Sequence, residues 1–291
     1  MVNDQAASLR QRVKQKEKGK QAKTIAIFSG KGGVGKSNFA VNFAICLSKQ
    51  GKKVLIFDLD IGMGNVDVLL GLYPKHNLTT MFEKNLPISD IIEVGPGHLS
   101  YIASGNGLND LFSMKKEQIQ FFIDQLSHIA QEYDYFIFDL GAGMSEEHVE
   151  FISASDECIV ISTPEPTSYM DAYSAMKHII MTNPLVNMSL LINNASSTKE
   201  GEQTYNHLRI VVQNFLKYEI NLFGILPNDP IVSEAVRQQV PFYMLNPRAK
   251  ISKLLAKTVL DYLKANNQDK QKEENKQFIS KLKLMFTRKV D

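Results

Sequence analysis

Apolar and polar positions along the chain follow two periods. Short runs rich in β-branched and aromatic residues, at Thr24–Ser29, Lys53–Asp58, Leu99–Ala103, Tyr135–Asp139, Cys158–Ser162, Ser189–Asn193 and Leu222–Leu226, predict strands. Their continuous apolar character, as in Tyr135-Phe-Ile-Phe-Asp139, suits strands buried on both faces. Stretches of helical period between them predict helices over 36–50, 116–132, 168–182, 203–218, 230–239 and 249–265. Such alternation predicts an α/β fold, a mainly parallel twisted sheet with helices on both faces. No internal repeat is visible.

Both ends depart from this pattern. The first 23 residues are too polar to join a core, and Ala265–Gln277 reads as a polar linker leading to a last segment of different character. The expected organisation is a flexible basic segment at 1–23, one α/β domain at 24–265, and a linker with an amphipathic helix at 266–291. A chain of 291 residues, 44% hydrophobic and 22% charged, has the composition of a globular protein and can bury one substantial core.

Charge sharpens the division. Residues 1–23 hold seven Lys/Arg against two acids and residues 266–291 seven against four, so of the overall +2 the body between them carries −6. An acidic body is a poor surface for nucleic acid, and no direct nucleic-acid partner is expected; any anionic surface should be met by the ends. Cys46 and Cys158 lie in separate apolar stretches, without the spacing of a zinc or redox pair, and read as inert core thiols. With no long apolar run and no leader-like start, the protein is expected in the cytoplasm.

The chemistry concentrates first at Gly30-Lys31-Gly32-Gly33-Val34-Gly35-Lys36-Ser37, which follows a predicted strand and opens a predicted helix. This is G-x-x-x-x-G-K-[ST] in its required context. Backbone N–H groups freed by the glycines close around phosphates, Lys36 reaches the β and γ oxygens, and the Ser37 hydroxyl takes a Mg²⁺ position. The helix running on through Asn38 adds its dipole. A dinucleotide fingerprint, with Asp58 as the ribose acid, would not need a lysine and a hydroxyl at the end of the loop, and is rejected.

Lys31, directly after the first glycine, gives the loop the K-G-G-x-G-K-S form. It resembles the deviant Walker A family typified by MinD, ParA and the arsenite-pump ATPases. The resemblance implies an ATP-dependent sandwich dimer in which Lys31 crosses the interface to the partner's ATP, as an arginine finger does. Exposed charge is the plain alternative.

Phe57-Asp58-Leu-Asp60-Ile-Gly-Met-Gly64-Asn65-Val-Asp67 looks like the switch I segment of MinD-type proteins. On that resemblance Asp60 orients or deprotonates the attacking water, Asp58 assists at Mg²⁺, and Asn65 lies near the dimer interface. MinD has a basic residue where Gly64 stands. Asp134-Tyr-Phe-Ile-Phe-Asp139-Leu-Gly141-Ala-Gly143 has the form of a Walker B strand entering switch II, with Asp139 for the metal and the Gly141 N–H for a γ-phosphate. Gly141 stands where the family usually has proline. Asn193, Pro227 and Asn228, at two later strand ends, match where MinD-like proteins hold adenine. Since the Asp of N-K-x-D is absent, ATP and ADP are expected rather than guanine nucleotides.

At the C-terminus, Phe278, Leu282, Met285 and Phe286 share one helical face, flanked by Lys281, Lys283, Arg288 and Lys289. A basic amphipathic helix of this kind can lie in an anionic membrane interface, and two presented by one dimer bind far better than one. Docking on the protein's own core is the alternative. At the N-terminus, Asp4-Gln5-Ala-Ala-Ser-Leu9-Arg10 resembles the activator segment of the FlhG family, also called YlxH or FleN, MinD-like regulators of flagellar placement and number.

That resemblance implies binding of FlhF, a signal-recognition-type GTPase, with Gln5 completing its active site and Asp4, Leu9 and Arg10 in the contact. It also implies contacts with flagellar switch-complex (C-ring) proteins and reversible attachment to the inner face of the cell membrane. A spatial regulator of cell division or DNA segregation would use the same engine. A nucleotide-gated adaptor with incidental hydrolysis is the reading from another class.

Overall fold

The computed structural model describes residues 21–60, 64–105, 116–143, 146–269 and 278–282. Among these described residues eight strands form one sheet in the order β3-β4-β2-β5-β1-β6-β7-β8. They are β1 (Lys23–Ser29), β2 (Val54–Leu59), β3 (Glu93–Val94), β4 (Ser100–Ile102), β5 (Tyr135–Ala142), β6 (Glu157–Ser162), β7 (Met188–Ala195) and β8 (Asn221–Pro227). Only β3, a two-residue edge strand, runs antiparallel. The central strands β1, β2 and β5 are almost wholly buried, which is why their sequences are apolar on both faces.

The helices divide between the two faces. On one side lie α1 (Lys36–Lys49), α2 (Val66–Leu70), α8 (Pro230–Gln238), α9 (Phe242–Leu245) and α10 (Lys250–Asp269), packed on Ile25, Ile27, Ile56 and Ile137. On the other lie α3 (Leu78–Lys84), α4 (Lys116–Ile129), α5 (Glu146–Ala154), α6 (Pro166–Thr182) and α7 (Thr198–Leu216), packed on Ala26, Phe57, Phe136 and Phe138. Alternation along each strand thus feeds two separate apolar layers.

All seven strands expected from the sequence are present, several extended at their ends. Helices α2, α3, α5 and α9 and the edge strand β3 were not expected. The core begins earlier than residue 24, because Ala22 is buried and its N–H bonds to the Ala130 carbonyl. The stretch read as a linker from Ala265 instead continues α10 as far as Asp269.

The described part of the C-terminal segment is docked on the core. Residues 278–282 are helical and return to the second layer, where Phe278 and Leu282 are buried. Phe278 stacks on Phe138 at 5.3 Å and meets Phe151 edge-on at 5.7 Å. Core docking, the alternative, therefore holds for these two side chains in this structure. Met285 and Phe286 lie outside the described residues, as do Asp4, Gln5, Leu9 and Arg10.

Candidate active site

Functional side chains gather at the carboxyl ends of β1, β2 and β5, where ligands bind in open α/β sheets. The loop after β1 turns at Gly33 and Gly35, with φ of 79° and 87°, a region that side chains rarely tolerate. It then enters α1 at Lys36. Gly35 is needed for a second reason: a Cβ there would stand 2.5 Å from the Asn193 amide nitrogen. Gly30 lies so close to the Asp171 carbonyl of α6 that no side chain fits.

Lys36 is 7% exposed, and its Nζ donates to Asp139 Oδ1 at 2.7 Å and stands 4.0 Å from Asp60 Oδ2. Ser37, at the start of the same helix, accepts a long hydrogen bond from the Lys36 Nζ at 3.4 Å through its hydroxyl. Asp58 accepts from the backbone N–H groups of Asp60 and Val66, each at 3.1 Å, and so ties the beginning and end of the switch I segment together. A Cβ on Gly141 would lie 3.1 Å from Asp60 Oδ1, so switch II glycine backbone passes directly beside the Asp60 carboxylate.

Two carboxylates here are electrostatically unsatisfied. Burial, reinforced by the neighbouring Asp139 charge, raises Asp58 to about 7. Burial raises Asp139 too, against the opposing pull of Lys36, and Asp139 Oδ2 is buried with no hydrogen-bond partner. An orphaned, wholly buried carboxylate oxygen beside a second carboxyl and a serine hydroxyl fits a hard divalent cation.

Beside the loop opens a cavity of about 350 Å³ lined by Lys31 to Gly35, Asn193, Asn194, Pro227 and Asn228. The structure therefore brings the expected adenine residues to the expected loop. Asn193 is already engaged: its amide donates to the Val34 carbonyl at 2.8 Å. Asn38 is drawn away into the helix, accepting from Asn42 through its carbonyl and its side chain. Lys31 reaches sideways to Glu165 at 3.0 Å and Thr167 at 3.1 Å. Asn65, the N-cap of α2, is exposed.

Comparison with known proteins gives this site its relatives. Residues 20–262 match the ParA family model described as NUBPL iron-transfer P-loop NTPase. Antiactivator FleN of Pseudomonas aeruginosa is 34% identical over 228 residues, 78% of this chain and 81% of that protein. Flagellum site-determining protein YlxH of Helicobacter pylori is 34% identical over 220 residues, 75% of this chain and 74% of its own. The chain belongs to the ParA/MinD family of P-loop ATPases, with FleN and YlxH among its relatives. In fold it matches septum site-determining protein MinD of Pyrococcus horikoshii, solved with Mg-ADP. The TM-score is 0.68 at 18% identity, covering 84% of this chain and 97% of that one.

As a ParA/MinD-type ATPase, the chain departs from MinD at Gly64 for a visible reason. A side chain there would overlap the Ser104 hydroxyl and stand 2.7 Å from Asp58 Oδ2. The chain at Gly64 lies against the residues that follow β4, and the space a basic residue would need is taken.

Sequence reasoning missed Thr163, Glu165, Val232 and Ser233 in the cavity wall. The available signal was Thr163-Pro-Glu-Pro166, a loop between a strand and a helix that opens on proline. Cys46 and Cys158 are buried on different elements, with thiols pushed up to about 12 for Cys46 and higher still for Cys158. Among the described residues no group of three His, Cys, Asp or Glu side chains is placed to hold a metal ion.

Proposed function

We propose that this ATPase works as an ATP-dependent homodimer that attaches reversibly to the inner face of the cell membrane and sets flagellar number and placement. Its N-terminal segment stimulates the GTPase FlhF, and it contacts switch-complex proteins of the C-ring. The flagellar assignment is supported by FleN and YlxH. The dimer is supported by one observation: Lys31 stands at the rim of the nucleotide cavity, held only from the side by Glu165 and Thr167.

ATP places its phosphates in the Gly30–Ser37 loop, with backbone N–H groups and Lys36 around them. Ser37, Asp58 and Asp139 are the residues that would hold Mg²⁺, which when bound neutralises charge growing on the phosphate oxygens. As phosphates arrive, Lys36 has a stronger partner than Asp139. Asp60, 4.0 Å from Lys36 and beside Gly141, accepts a hydrogen bond from the attacking water and orients it in line. Lys31 of the partner subunit adds positive charge where it builds in the transition state.

Membrane attachment requires Phe278 and Leu282 to leave the core or Met285 and Phe286 to act alone. Among the described residues no helix is long and apolar enough to cross a membrane; the basic amphipathic pattern of residues 278–290 supports interfacial contact. Sedimentation tests the dimer: Asp60→Ala protein with Mg-ATP is expected to dimerise and Lys31→Ala protein to stay monomeric. Dimers of both, or of neither, overturn the sandwich. A peptide of residues 1–23 is expected to stimulate FlhF GTP hydrolysis, and Gln5→Ala to abolish that while sparing binding. Full stimulation by the Gln5→Ala peptide would reduce the segment to a tether.

A further inference from the structure

A second cavity, of about 620 Å³, opens at the opposite end of the strands from the nucleotide site. Its walls come from the last turn of α1, the start of β2, the turn before β4 and the residues before β5. Cations dominate: Lys49, Lys52 and Lys53 line it with His98, against the single acid Glu132. This cluster stands on a body whose net charge is −6, so it is local concentration and not background.

Three further features point inward. The carbonyls of Cys46, Leu47 and Ser48 at the end of α1 are taken by the N–H groups of Gln50, Gly51 and Lys52, so the lysines are not needed to cap that helix. Ser48 lines the cavity, and its hydroxyl is buried with no partner. Gly97 and His98 both adopt positive φ, 69° and 59°, an uncommon conformation for a histidine, and both line the cavity. Tyr133 supplies an aromatic wall.

We propose that this cavity binds a small soluble phosphate ester of nucleotide size. Its phosphates meet Lys49, Lys52 and Lys53, and a ring lies against Tyr133. The volume suits one such molecule. Binding is felt at the ATPase site through two elements shared by both: α1 runs from Lys36 to Lys49, and β2 starts at Val54 and carries Asp58. The inference is independent of the flagellar reading.

The test follows the His98 ring resonances of the full chain by NMR in Mg-ADP, a readout local to this cavity. Inorganic pyrophosphate is expected to shift them saturably, and uridine diphosphate to do so at lower concentration. Lys49→Gln/Lys52→Gln should weaken both at least about tenfold, as loss of charge-assisted bonds implies, while Lys257→Gln on the exposed face of α10 leaves them unchanged. No shift up to about 10 mM of either phosphate compound overturns the site. So does a shift that the double variant leaves intact. Uridine diphosphate binding no tighter than pyrophosphate overturns the nucleotide size. A response confined to phosphatidylglycerol vesicles, or stronger with a glutamate peptide lacking phosphate, overturns the soluble phosphate ester.

Discussion

Phe138 and Asp139 are neighbours on β5, one pleat apart, and both are wholly buried. Phe138 faces the second layer, where Phe57, Phe151 and Phe278 surround it at centroid distances of 5.0, 4.8 and 5.3 Å. Asp139 faces the first layer, where one oxygen meets Lys36 and the other meets nothing. One side of the strand has every physical demand met. The other holds a charge that burial penalises and a lysine incompletely repays. Local inconsistency of that kind persists where function requires it, because a ligand completes it.

The comparison breaks most sharply under substitution. Lys36→Ala is expected to reduce ATP turnover at least about 1,000-fold, the scale on which a positive group at a transferring phosphoryl acts. Phe278→Ala should leave turnover of the folded protein within about threefold, measured as phosphate release at saturating Mg-ATP. A comparable loss in both would mean that the layers are not separable. Stability should reverse the order. Emptying the Phe278 site costs about 3–5 kcal/mol by the usual large-to-small penalty in a core, read by urea denaturation. If the cost is under about 1 kcal/mol, the segment is not docked in solution.

Much of this contrast was legible in the chain, and its limits have physical causes. Glycines between a strand and Lys36-Ser37 admit few structures, so the phosphate loop and its carboxylates could be placed by position alone. Phe278 and Leu282 were read correctly as one apolar face, but the same periodicity serves a membrane and a core; a pattern shows which side is apolar and not what covers it. Helix α3 escaped notice because its start is fixed by Asn77 and Thr80 in a reciprocal capping box, a signal carried by two short polar residues. Glu165 was missed because its place in the nucleotide wall depends on β6 and α6 lying beside β1, a relation set by topology.

Acid sharpens the comparison further. Asp58 is held near 7 against 3.8, so between those values the folded protein binds a proton that the unfolded chain has released. Stability should therefore fall as pH rises through this window, by up to about 1.4 kcal/mol per pH unit for one proton. Asp58→Asn isolates the effect: the difference in unfolding free energy between this variant and the unaltered protein should grow from pH 5 to pH 7.5 without Mg²⁺. A difference that stays flat would show that Asp58 is already ionised and stabilised by its backbone N–H partners.

The smallest effect concerns Lys31, whose bond to Glu165 keeps it beside its own loop. Both side chains are substantially exposed, at 39% and 64%. An ion pair so placed contributes about 0–1 kcal/mol after solvent screening, so it biases the lysine and does not lock it. If Lys31 must leave Glu165 to cross to a partner's nucleotide, removing the carboxylate removes that competition. Glu165→Gln is therefore expected to tighten ATP-dependent dimerisation by up to about fivefold, the equilibrium equivalent of that energy. Sedimentation in an Asp60→Ala background, where ATP persists, reads the shift directly. The gain should shrink at high salt, since the unaltered pair is itself screened there. Weaker dimerisation by Glu165→Gln would mean that Glu165 holds Lys31 within the dimer, and that the contact seen in the single chain is one that the assembled pair keeps.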